Sequence, residues 1–197
     1  MKTVLVNKPI HRVALARLQE EAQVLTPYHA SYEELMELLP SAQGMILCAG
    51  LHMGPAEMDW ASQLAVISRH GAGVDIVDVE AATQRGIPVT FTPYGPTEST
   101  AEHALMLLLA VARRLPQLDR AVRSGDFDIR DHLVGGELEG KALGIVGFGR
   151  IGKRMAEICR DGLHMAVHFY DPYVDAETAT ECEAIQVDDI VALAGMV

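Results

Sequence analysis

The stretch from Leu143 to Asp171, LGIVGFGRIGKRMAEICRDGLHMAVHFYD, constrains the fold more than any other. It opens on the apolar run Leu143-Gly144-Ile145-Val146, which reads as a buried parallel strand. Gly147, Gly149 and Gly152 follow in the spacing G-x-G-x-x-G. Ile151, Met155 and Ile158 then recur at helical spacing, and a second apolar run, Met165 to Tyr170, ends at Asp171, 19 residues beyond Gly152.

Each part suits a dinucleotide site. Gly147 permits a tight strand-to-helix turn, Gly149 leaves the backbone open to a pyrophosphate, and Gly152 lets the helix approach the strand. A helix starting near Arg150 offers free N–H groups and the positive end of its dipole to phosphate, with Ile151 in the same turn. A carboxylate at Asp171 accepts hydrogen bonds from ribose hydroxyls and repels a 2′-phosphate, which favours NAD over NADP. Glycines alone are a weak signal. Strand, glycines, helix and acid in this order are a strong one.

The rest of the chain bounds the setting. With 197 residues there is room for one large or two small domains. A net charge of −11 argues against nucleic acid or an anionic membrane as partner. Cys48, Cys159 and Cys182 are far apart and form no C-x-x-C pair, which fits a reducing, cytoplasmic setting without disulfides or structural zinc. The N-terminal MKTVLVNKPIHR lacks the apolar core of a signal peptide. The longest apolar run, Ala104 to Ala112, is too short to span a bilayer. No metal site is expected: His164 and His168 are four apart, but His168 falls on a strand, where that spacing has no meaning.

Upstream of Leu143, strands and helices alternate, so an open parallel sheet is expected. Strands are read at 3–6, 23–26, 44–49, 64–68 and 89–92. Helices are read at 10–22, 32–39, 55–62 and 77–85, the second capped by Ser31 with Glu34 completing a capping box and the last closed by Gly86. Thr97 to Leu115 reads as a strongly apolar helix with more than one buried face, through Ala101, Ala104, Leu105, Leu108 and Leu109, ended or kinked by Pro116. That excess of apolar surface suggests packing against another subunit. A polar helix follows over 117–125. Beyond Asp171 the pattern weakens: a strand at 184–187, a helix capped by Asp188, and Met196-Val197 as the start of a further strand. Trp60 and the methionines read as core.

One segment interrupts the alternation. Arg69-His70-Gly71-Ala72-Gly73-Val74-Asp75 follows a strand directly, and its glycines expose backbone N–H groups at a carboxyl strand end, where open α/β sheets bind ligands. A nest for a substrate carboxylate has this form, and so does an ordinary tight turn.

Taken together, RHGAGVD at 69–75, STAEH at 99–103, LEGKALGIVGFGRIG at 138–152 and Asp171-Pro172-Tyr173 resemble the D-isomer-specific 2-hydroxyacid dehydrogenases, the family that includes phosphoglycerate dehydrogenase. The resemblance implies a flavodoxin-like parallel-sheet substrate domain at 1–97, followed at 98–197 by the first half of a doubly wound Rossmann domain that binds NAD. It implies that Gly147, Gly149, Gly152 and the backbone of Arg150 and Ile151 face the pyrophosphate and that Asp171 holds the adenosine ribose. Thr100 and Ala72 would lie near the nicotinamide, and Gly71, Ala72, Gly73 and Val74 near the carboxylate of a small 2-hydroxy or 2-oxo acid. The helix from Thr97 to Leu115 would form a homodimer interface. Three positions depart from common family usage. Ala72 replaces a hydroxyl residue, so a contact there would be through backbone; Pro96 replaces Asn; and Cys48-Ala49 stands where phosphoglycerate dehydrogenases tend to have Arg-Ser. No residue matches the family's catalytic Arg, Glu and His, which would fall beyond Val197. No catalytic residue is assigned, and these 197 residues alone are expected to turn over nothing. The alternative is a nucleotide-binding or dimerising module without catalysis.

Overall fold

The computed structural model describes residues 1–197, apart from the side chain of residue 176. The chain divides into two compact units, Met1–Pro96 and Thr97–Val197.

The first unit is built on five parallel strands in the order β2-β1-β3-β4-β5: β1 (Lys2–Val6), β2 (Ala22–Leu25), β3 (Gly44–Leu47), β4 (Val66–Arg69) and β5 (Val89–Phe91). This is the flavodoxin order, with its switch point between β1 and β3. The crossovers carry α1 (Arg12–Glu21), α2 (Tyr32–Leu38), α3 (Pro55–Trp60) and α4 (Val79–Gln84). Local chemistry fixes the ends of these helices. Ser31 Oγ accepts from Glu34 N while Glu34 Oε2 accepts from Ser31 N, closing the capping box that the sequence predicts. Gly86 takes a φ of +67° after α4, where a side chain would be strained. Leu5, Met45, Leu47 and Ile67 on the strands meet Leu39, Met53, Met58 and Ala82 in a dry core.

The second unit contains three parallel strands in the order β6-β7-β8: β6 (Ala142–Val146), β7 (Ala166–Tyr170) and β8 (Ile185–Gln186). This is the strand order of one mononucleotide-binding half of a doubly wound fold. Leu143 and Ile145 of β6 and Val167 and Phe169 of β7 alternate onto one face, as the two-residue strand period requires. They pack on Met155, Ala156 and Cys159 of α7 (Arg150–Leu163), with Ala104, Leu105 and Leu108 of α5 (Thr97–Ala112) against the same core.

Several elements differ from the sequence reading. The long helix stops at Ala112, and Arg114 adopts a left-handed φ of +52°. Pro116 therefore opens the next helix, α6 (Leu115–Arg123), rather than ending the previous one; a first turn tolerates proline because its N–H has no helical partner there. Helix α5 turns one stripe onto the core of its own unit. Only Ala101 is fully buried, while Met106, Leu107, Leu109 and Val111 are exposed. A short helix that the weak pattern after Asp171 hides, α8 (Ala176–Glu181), is capped by Asp175, whose Oδ1 accepts from Thr178 N at 2.9 Å. Asp189, not Asp188, caps α9 (Ile190–Ala194), accepting from Ala192 N at 3.0 Å. Met196 lies in a turn, not a strand. Trp60 is 59% exposed rather than core, held by a hydrogen bond from its Nε1 to Met36 O. Met106 is likewise exposed.

Candidate functional site

Two glycine-containing loops stand at carboxyl strand ends, one in each unit. The loop after β6 leads straight into α7, with Gly149 at the N-cap. Its three glycines meet three different demands. Gly147 has a φ of +88°, which only glycine adopts without strain. A Cβ at Gly152 would stand 2.3 Å from Gly147 O, a collision with main chain, so helix and turn touch at this point. A Cβ at Gly149 would meet no atom within 4 Å. The open space at Gly149 lies at the first turn of α7, where backbone N–H groups have no i−4 acceptor and the helix dipole is positive. An anionic group such as a pyrophosphate fits this arrangement.

Asp171 closes the same loop. Its Oδ2 accepts from Phe148 N at 2.7 Å and its Oδ1 from Tyr173 N at 2.9 Å. These amides, Tyr173 first and then Phe148, hold the carboxyl below the ordinary aspartate range, so it is an anion at neutral pH. Phe148 itself is fully buried and stacks on Phe169 with ring centroids 3.8 Å apart. Gly147 N donates to Tyr170 O at 2.9 Å. The glycine turn is thus fastened to the end of β7 by one ring stack and two hydrogen bonds. The structure brings Gly147, Gly149, Arg150, Ile151, Gly152 and Asp171 into one neighbourhood. Thr100 is exposed in the first turn of α5, in the same unit, and Ala72 belongs to the other unit. Phe148 is the residue that sequence reasoning passes over. Its signal was an aromatic between two glycines, where a solvated turn would carry a polar residue.

The loop after β4, Gly71 to Val74, is built differently. No helix starts until Val79. The loop wraps around the Arg69 side chain, whose Nε donates to Gly73 O at 3.0 Å and whose Nη1 donates to His70 O and to Leu47 O. Thr92 N donates to Gly71 O and Val77 N to Val74 O. The carbonyls of His70, Gly71, Gly73 and Val74 are therefore occupied, while the amides of Ala72, Gly73 and Val74 donate to no acceptor among the described residues. Such a loop presents N–H groups outward, as an anion nest does. Beside it, at the carboxyl end of β1, Asn7 is 2% exposed and spans the switch point, accepting from Cys48 N at 2.7 Å through Oδ1. Burial pushes the Cys48 thiol up, with the Arg69 charge opposing it, and His70 Nδ1 stands 3.6 Å from its sulfur. All three cysteines are free. His103 is exposed on α5, and the described residues contain no group of three His, Cys, Asp or Glu arranged to hold a metal ion.

The sequence model of the D-isomer specific 2-hydroxyacid dehydrogenase catalytic domain matches residues 4–194. The chain belongs to the D-isomer-specific 2-hydroxyacid dehydrogenase family. The D-3-phosphoglycerate dehydrogenase of Archaeoglobus fulgidus is 39% identical over 186 residues, which are 94% of this chain and 35% of that protein. The chain spans about a third of the length of such curated relatives. Among solved structures, a protein of Thermus thermophilus is 33% identical with a TM-score of 0.89 over 99% of this chain and 62% of its own. A Polaromonas chain named for D-isomer specific 2-hydroxyacid dehydrogenase and NAD binding is 26% identical, with a TM-score of 0.89 over 100% of this chain and 63% of its own. No described helix is long and apolar enough to cross a membrane.

Proposed function

We propose that this chain carries the cofactor and carboxylate sites of an NAD-dependent 2-hydroxyacid dehydrogenase. In this reading Thr97–Val197 is the NAD-binding domain and Met1–Pro96 the substrate domain, working in the cytoplasm on a small 2-hydroxy or 2-oxo acid. The observation that carries it is the glycine turn fastened to Asp171 through the Phe148 amide. Gly149 admits the pyrophosphate, the first turn of α7 at Arg150 and Ile151 neutralises it, and Asp171 accepts from the ribose hydroxyls with its remaining lone pairs. When bound, the nicotinamide supplies or takes the hydride. The chain's own residues bind and orient: the outward amides of Ala72, Gly73 and Val74 hold the substrate carboxylate, and Thr100 lies toward the nicotinamide. No proton-transfer residue is assigned.

The partner of α5 in this reading is a second copy of the chain. Its support is the exposed apolar face, where Met106, Leu109 and Leu115 border a groove of about 550 Å³ and Met106 is 49% exposed. Met106→Asp should shift a dimer to monomer in light scattering, and a wild-type monomer would remove this part of the proposal.

Calorimetric titration tests the cofactor site. NADH should bind more tightly than NADPH, and Asp171→Ala should weaken NADH by about tenfold or more while narrowing that preference, since a hydrogen bond to a charged group is lost. Equal binding of the two cofactors by the wild type would contradict the assignment. The second reading, a nucleotide-binding and dimerising module, gives the same titrations without a carboxylate site. Titration with pyruvate separates the two, since only the first reading predicts saturable binding of a 2-oxo acid at Gly71–Val74.

A further inference from the structure

We infer that Arg69 is a positioning residue for substrate carboxylate, acting through the loop and not by touching the substrate. This rests on the reading of Gly71–Val74 as the carboxylate site. The Arg69 guanidinium is committed to backbone. It donates to Gly73 O at 3.0 Å and to Leu47 O at 3.4 Å, and it also donates to His70 O. Leu47 O and His70 O stand at the carboxyl ends of β3 and β4, and Gly73 O lies within the loop itself. One planar fork thus gathers three carbonyls from two strand ends and a turn. A lysine cannot reproduce this, because a single ammonium lacks the fixed divergence of guanidinium N–H groups.

The capped carbonyls decide what the loop shows to solvent. A backbone segment carries one donor and one acceptor per residue, and both must be accounted for. With His70 O and Gly73 O turned onto Arg69, and Gly71 O taken by Thr92 N, the amides of Ala72, Gly73 and Val74 are left to an external acceptor. Gly71 makes room for this. A Cβ there would lie 2.7 Å from Arg69 Nη1 and 2.8 Å from its Cζ, so the guanidinium lies directly against the glycine. The loop also carries an opposing charge. A Cβ at Gly73 would stand 2.6 Å from Asp75 Oδ1, which places a carboxylate beside the amides. The Arg69 cation offsets that charge as well as shaping the loop.

The test is a nitrogen-15 NMR titration of the whole 197-residue chain with pyruvate, followed at the Ala72, Gly73 and Val74 amides. The wild type should show saturable shifts there. Arg69→Lys should weaken pyruvate by about tenfold despite keeping the charge, and Arg69→Ala by more, as expected for losing charge-assisted hydrogen bonds. Millimolar guanidinium, but not tetramethylammonium, should restore part of the affinity of Arg69→Ala. Unchanged peaks from the rest of the first unit show that both variants are folded, and unchanged NADH affinity shows that the second unit is unaffected. Wild-type affinity in Arg69→Lys would reduce Arg69 to a charge and overturn its positioning role. Wild-type affinity in Arg69→Ala would overturn any role. Amides that ignore pyruvate in the wild type would instead remove the carboxylate-loop reading, and the role of Arg69 with it.

Discussion

The two strand-end loops solve one problem, presenting backbone N–H groups to an anion, with different materials. After β6 the donors come from a helix. The turn is fitted main chain to main chain, since a Cβ at Gly152 would strike Gly147 O at 2.3 Å. After β4 no helix follows directly, and the loop is shaped around a side chain, Arg69. A Cβ at Gly71 would meet the far end of that side chain, which can swing away. A clash at the Gly152 contact should therefore be felt mainly as lost stability, and a disturbed Arg69 loop as lost ligand affinity as well as stability.

Substitutions at single glycines can break this contrast. Gly152→Ala should have the largest effect, about 1–3 kcal/mol of lost stability in urea unfolding followed by circular dichroism, because a backbone oxygen has nowhere to move. A loss no greater than that of an exposed substitution would mean that helix and turn separate freely. Gly71→Ala should come next, at about 1–2 kcal/mol, from its φ of +150° and the displaced guanidinium. Its pyruvate affinity should fall with that of Arg69→Ala, and combining the two changes should add little, as for residues sharing one interaction. Full additivity would show that Gly71 matters for another reason. Gly149→Ala sharpens the comparison from the other side. Its stability should stay within about 0.5 kcal/mol of wild type, since the added methyl meets nothing. Its NADH affinity should nevertheless drop, by about tenfold for a bond to the pyrophosphate lost.

The smallest effect is one of pH. Asp171 has its folded pKa depressed by the Tyr173 and Phe148 amides. Its contribution is therefore fully present above the unfolded value, about 3.9, and is lost only as pH falls through the lower folded value. The Phe148 and Tyr173 amide shifts should titrate together in that acid window. Titration at or above the ordinary aspartate value would mean that the carboxylate does not hold the loop.

The same contrast explains what the sequence made legible. The loop after β6 could be read because each of its devices has a fixed spacing: strand, three glycines, helix and an acid at the end of the next strand. That the first sheet is open and parallel was legible from the alternation of strands and helices, whereas its flavodoxin order was implied only by the family resemblance. Arg69 was not, because its role depends on carbonyls from Leu47, 22 residues earlier, that no local pattern connects to it. Asn7 was hidden for the same reason, as its partner Cys48 is 41 residues away. The break at Arg113–Arg114 carries no glycine to announce it, and Pro116 serves equally to end one helix or to start another. Helix α8 is short, and only its Asp175 cap with Thr178 marks it. Trp60 departs from the core expected of it because residue type predicts burial only on average; its indole N–H finds the Met36 carbonyl at the surface.

In the proposed function NAD binds at the turn Gly147–Gly152, tied to Asp171. Titrating the isotope-labelled chain with NAD and following every backbone amide tests it most directly. The account predicts that the amides of Phe148, Gly149, Arg150 and Ile151 move first and furthest, together with those of Asp171 and Tyr173, and that NADP moves them less at equal concentration. Saturable shifts that leave these amides in place, or an equal response to NADP, would contradict it.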